Sequence, residues 1–174
     1  MNKSTKELTL SGMFLALAII VPMIFHYANI GGAIFLPMHI PVLLAAFYVN
    51  PLYAMLVGIL SPLLSSIFTS MPPMYPIAVI MVFELGVYGL VTSLIYKKFN
   101  LIISLIGGMI TGRLVAGVMV FVLQSSFGLK MNPYMYIKGI IITGMPGIII
   151  QLLIIPVIVK KFNLAINNKK SSKY

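Results

Sequence analysis

The stretch MVFELGVYGL, residues 81–90, places one acidic side chain, Glu84, inside an otherwise apolar run. A charge at the centre of a bilayer costs about 2.5–3.5 kcal/mol on insertion scales, so such a residue normally has a partner or a task. The surrounding composition makes a bilayer the relevant solvent. The 174 residues are 60% hydrophobic and 8% charged, with a mean hydropathy of +1.09, outside the range of water-soluble globular domains.

On either side of 81–90 the chain divides into apolar stretches separated by short Pro, Gly, Asn and Lys punctuation. At 1.5 Å per residue, roughly 20 apolar residues cross the hydrocarbon. The expectation is an all-α membrane protein forming one integral membrane domain over 1–174. Its six transmembrane helices fall at about 9–27, 36–49, 52–68, 76–96, 101–123 and 137–161. Segment 36–49 is short for a crossing. A version in which it forms a dipping hairpin with 52–68, leaving about four full crossings, fits the charge pattern equally.

Most of the net charge of +10 comes from basic residues that flank apolar segments: Lys3 and Lys6, Lys97 and Lys98, Lys160 and Lys161, then Lys169, Lys170 and Lys173. That is the positive-inside distribution, and it puts the N- and C-termini in the cytoplasm. Nucleic-acid binding is not expected, because stacking aromatics interleaved with the basic residues are missing. The tail NNKKSSKY reads as solvated, with contact to anionic lipid heads as its option. There is no cysteine, so disulfides and thiol-bound metals are excluded, and neither metal nor cofactor is expected. No small-residue cleavage site follows the first apolar run, which therefore reads as a retained helix.

Three connections then face outward, at about 28–35, 69–75 and 124–136, and they are richer in Gly, Pro, Asn, Ser and Tyr than the inner ones. That asymmetry makes the outer face the expected ligand entrance. Glu84 lies about 8 residues, on the order of 12 Å, below the outer end of its helix. Arg113, in MITGRLVAGVMVF, lies about 10 residues, on the order of 15 Å, below the outer end of the next, antiparallel helix. The pair either locks two helices together or lines an outward cavity and holds a ligand. Helical spacing groups Met81, Glu84 and Tyr88, and likewise Arg113, Gly117, Phe121 and Gln124.

His39, between two prolines in FLPMHIP, is a candidate ligand contact or a helix-packing residue. Asn132 and Tyr134 are candidates in the last outer connection, where Lys138 either snorkels to headgroups or meets a ligand. Pro146 in TGMPGIIIQ is expected to kink its helix, and Gln151 to bond a neighbouring helix.

The layout resembles the substrate-binding S components of energy-coupling factor (ECF) vitamin importers. The stretches FLPMHIPVLLAAFYVNPLYAMLVGILSPLLSS, TSMPPMYP and FELGVYGLV carry the likeness, which covers essentially the whole chain. The family's small-xxx-small ridge in the first helix corresponds to Gly12 and Ala16, whose backbones can approach a partner closely. Gly108, Gly112 and Ala116 read as a second ridge for internal packing. The resemblance implies capture of a vitamin or its precursor outside, association with a transmembrane coupling subunit and two ATPases, and release inside. The chain has no phosphate-cradling G-x-x-x-x-G-K-[ST] of its own.

Three other functions compete. A proton-coupled secondary carrier would use Glu84, although the neighbouring cation favours the ionised carboxylate and no internal repeat is evident. An intramembrane hydrolase would need Ser61, Ser65 or Ser66 with His39, but no G-x-S-x-G elbow is present. A purely structural protein would need no ligand. One carboxylate and one guanidinium suit a ligand of low net charge with both donors and acceptors, a small nitrogen heterocycle being favoured. An anion held by Arg113 and Lys138 remains open.

Overall fold

The structure, a computed structural model, describes the backbone of residues 2–28 and 30–171, and side chains there except at 3 and 165–171. Asn29 of the first outer connection and Lys173 of the basic tail lie outside the described residues, as do the side chains of Lys3, Lys169 and Lys170.

Seven α-helices follow one another among the described residues: α1 Lys3–Tyr27, α2 Gly32–Phe35, α3 His39–Tyr48, α4 Pro51–Thr69, α5 Val79–Tyr96, α6 Leu101–Phe127 and α7 Pro133–Ser171. A π-helical turn, Met74–Ala78, leads into α5. Five helical stretches are long and apolar enough to cross a membrane: Ser4–Tyr27, Pro51–Thr69, Met74–Tyr96, Leu101–Phe127 and Pro133–Leu164. The expected helix 36–49 differs from these. It is the 10-residue α3, preceded by the single turn α2, with Leu36 between them in the left-handed region at φ 51°. Pro37 contributes to this break, since the residue before a proline is steered away from helical geometry. α7 runs on through Pro146 and Pro156 as one helix.

Caps set several boundaries. Asn50 Oδ1 accepts from the Tyr53 amide and starts α4, with Pro51 at the first helical position. Asn100 does the same for α6 through the Ile103 amide.

α3 is the most enclosed element, with Val42, Leu43, Leu44, Ala45 and Ala46 all buried in the main core. Around it the helices close up through small residues. A methyl on Gly58 would meet the Leu85 carbonyl, and one on Gly89 the Ala54 carbonyl, so α4 and α5 touch backbone to backbone. Gly108 and Gly112 bring α6 against Thr92 and Tyr88 of α5 in the same way, and Ala116 is fully buried. Without a hydrophobic drive between helices in lipid, such close approach is what holds them. Gly12 and Ala16 lie instead on the exposed side of α1.

One end of the bundle is tied by polar contacts. Asn50 Nδ2 donates to Glu7 Oε2 at 2.6 Å, joining α1 to the α3–α4 turn, and Ser93 Oγ reaches the Val49 carbonyl at 3.4 Å. Tyr48 stacks on Phe14 of α1 and meets Phe162 of α7 edge-on, with ring centroids 5.9 and 5.2 Å apart. The start of α1 and the far part of α7 therefore lie at this same end.

Candidate functional site

The opposite end holds a cavity of about 630 Å³, within the range of small-molecule sites. Its rim comes from the end of α1 (Pro22, His26), the α2 region (Ile30 to Leu36) and the α4–α5 connection (Met71, Pro72, Pro73). The π-helical turn and α5 descend into it as Ile77, then Met81 and Glu84, and one face of α7 as Tyr136, Gly139, Ile140 and Thr143. Met38, His39 and Arg113 complete the floor, and all three are buried. Hydrophobic side chains line most of the wall, with the polar groups gathered deep inside.

Helix packing assembles the floor. Glu84 is 2% exposed, and Arg113 reaches it from α6 with Nη1 2.7 Å from Oε1. The distance is that of a charge contact, but Oε1 accepts no directed hydrogen bond, so the angle is poor. Arg113 Nε and Nη2 have no partner at all. His39 opens α3, which the left-handed Leu36 starts by accepting from the His39 amide. Its Nε2 is 3.7 Å from Glu84 Oε1, too far for a hydrogen bond, and neither ring nitrogen is partnered. The imidazole rests edge-on against the Tyr88 ring, centroids 5.4 Å apart. Gly112 leaves the space that this ring fills. Buried polar atoms are nearly always satisfied in folded proteins, so this many unpartnered ones beside an open cavity set the floor apart from ordinary packing.

The α2 region covers part of the cavity and is docked on α7. A Cβ at Gly147 would come within 2.7 Å of the Phe35 carbonyl, and one at Gly144 within 3.0 Å of Leu36 Cδ1. Gln151 Nε2 donates to the Leu36 carbonyl at 3.5 Å. These three residues share one face of α7, and Gln151 bonds the link between α2 and α3 where a neighbouring helix was expected.

Of the residues singled out in the sequence, Glu84, Arg113 and His39 converge, together with Met81. Tyr88 does not line the cavity; at 1% exposed it sits beneath the floor as packing for His39. Asn132 caps α7 by accepting from the Met135 amide, while Tyr134 is 71% exposed and points away. Gln124 and Phe121 belong to the last turns of α6, which stand clear of the wall, and Gly117 packs on Ile137. Lys138 is exposed and off the wall. Sequence reasoning missed Tyr136, Ile140 and Thr143, because α7 starts at Pro133 and not at about 137. With the earlier start, their i, i+4, i+7 spacing gives one inward face.

A second groove of about 310 Å³, between α6 and α7, is lined by apolar side chains such as Ile106, Ile110, Leu114 and Ile141, with Arg113 at its inner wall. Ser61 and Ser65 donate to the Val57 and Met71 carbonyls, which leaves both hydroxyls engaged in structure.

Membrane-length helices around a buried ion pair define a multi-pass membrane protein with a cavity of small-molecule size. The match to known families narrows this: the family described as ECF transporter, substrate-specific component, covers residues 6–159. The chain belongs to that family, whose members are transporter subunits that bind substrate. No curated protein and no solved structure matches the chain significantly.

Proposed function

We propose that this protein is the substrate-binding membrane subunit of an ECF-type importer. It captures a vitamin or cofactor precursor, of small heterocyclic type, in the cavity floored by Glu84, Arg113 and His39. The observation that carries the reading is the set of unpartnered buried atoms on that floor, at Arg113 Nε and Nη2 and both His39 nitrogens. A structural ion pair alone would not leave so many buried polar atoms without a partner.

In this reading α2 and α3 complete a sixth crossing, since they connect the cavity end of α1 with the Asn50 turn at the opposite end. Both termini then lie in the cytoplasm and the cavity opens outside, as the basic flanks of the helices require. Gly12 and Ala16, exposed on α1, form the contact ridge for a transmembrane coupling subunit that works with two ATPases.

Two experiments test this. Mass spectrometry of the detergent-purified protein should detect a bound small molecule, lost in Glu84→Ala or Arg113→Ala. Uptake in cells should require the coupling subunit and both ATPases. Transport by the protein alone in liposomes would instead favour the alternative, a self-contained proton-coupled carrier using Glu84.

A further inference from the structure

The cavity wall carries formal charge at Glu84 and Arg113, and no lysine is among the described residues that line it. The two charges lie 2.7 Å apart and cancel at the most enclosed part of the site. An anionic ligand would need a second cation, and Lys138 stays exposed and off the wall. A cationic ligand would need a second carboxylate, and the one other acidic residue, Glu7, is bonded to Asn50 at the far end of the bundle. Burying an ion without a counter-charge costs several kcal/mol in such surroundings.

The floor is neutral but not satisfied. Arg113 Nε and Nη2 lie along one edge of the planar guanidinium, the fork that suits two adjacent acceptor atoms. His39, when neutral, offers one donor and one acceptor, and Glu84 Oε1 receives no directed hydrogen bond. Around these atoms stand Met38, Ile77, Met81 and Ile140, which present apolar surface to the rest of a guest.

Resting on the substrate-binding reading above, we propose that the cavity selects an uncharged ligand of the heteroaromatic amide or lactam class. Its polar edge points down, with adjacent acceptors on the Arg113 fork and an N–H toward Glu84 or His39. Its apolar face lies against Met38 and Met81. The ion pair is thus a charge filter that turns away the acid and amine forms of the same skeleton.

The test is a thermal-shift and calorimetry panel on the full-length protein. It comprises bicyclic heteroaromatic carboxamides and lactams, the matched carboxylates and aminomethyl compounds, and a zwitterionic aromatic amino acid. The carboxamide or lactam should bind at least about tenfold tighter than either charged counterpart, which corresponds to about 1.4 kcal/mol. Glu84→Gln frees the Arg113 charge and should shift selectivity toward the carboxylate by a similar factor. Equal or tighter binding of the carboxylate, the amine or the zwitterion to the unmodified protein overturns the proposal, as does unchanged selectivity in a folded Glu84→Gln. A silent panel also overturns it. If the purified protein then retains a charged small molecule, substrate binding stands and neutrality falls; if it retains nothing and supports no uptake, the binding reading itself falls.

Discussion

Arg113 gives one nitrogen, Nη1, to Glu84 Oε1 at 2.7 Å and keeps its Nε and Nη2 unpartnered in a buried position. Each residue therefore depends on the other for charge compensation, while the guanidinium retains unused donors. Removing one partner of a buried pair typically costs about 3–5 kcal/mol, because the remaining charge is stranded. Arg113→Ala should lower the melting temperature of the detergent-solubilised protein clearly. Glu84→Gln/Arg113→Gln, which removes both charges, should lose less than the sum of the single changes. Additive losses would mean that the two side chains are not coupled.

Gly112 is the residue that lets Tyr88 lie under His39. A methyl at Gly112 would overlap the Tyr88 ring and come 2.9 Å from the Glu84 carbonyl oxygen. Overpacking of this kind typically costs about 1–3 kcal/mol. Gly112→Ala should therefore weaken both stability and small-molecule binding, although Gly112 does not line the cavity. Tyr88→Phe keeps the ring and should preserve both. Ligand titration of the two variants, read beside their melting curves, checks this.

Much of this architecture is legible in the sequence because lipid imposes simple rules. Pro51 and Thr69, Leu101 and the Tyr96 boundary fall within a residue or so of expectation, since caps and apolar length mark them. Glu84 and Arg113 stand out because charges are rare in hydrocarbon, and depth alone brings them level. The α2–α3 break is harder to see. His39–Tyr48 is apolar throughout from Ile40 to Phe47 and too short to cross alone, so apolar length does not mark where it begins. The start of α7 lies about one turn before the expected position, and that difference brings Tyr136 to the cavity in place of Tyr134. Tyr88 shares a face with Glu84, as its spacing predicts. Periodicity does not report where a cavity ends along that face.

The docking of α2 on α7 gives a separate expectation. Gln151 is 1% exposed and reaches the Leu36 carbonyl, while Gly147 admits the Phe35 backbone. Gln151→Leu removes one interhelical hydrogen bond, worth about 0.6 kcal/mol on average in membrane proteins. Gly147→Val forces the α2 backbone away and should do more. Both should raise hydrogen exchange of amides at 31–38, with little change at the Asn50 end of the bundle. Uniform exchange across the chain would instead indicate global loosening.

At the far end, Asn50 has two roles: it caps α4 through Tyr53 and ties the α3–α4 turn to Glu7. Losing an N-cap typically costs about 1 kcal/mol. Asn50→Ala should lower stability by at least that much, whereas Asn50→Asp keeps the cap and places two carboxylates together. Asn50→Asp should consequently be less stable than the native protein, and Glu7→Gln should restore it by removing the repulsion. Gly12 and Ala16 serve as the control on the same helix. A methyl group added at Gly12 would find nothing within 4 Å, so Gly12→Leu should leave melting unchanged. If the exposed ridge meets a coupling subunit, that variant should lose copurification with it and keep ligand binding. Retained copurification would assign the contact to another face.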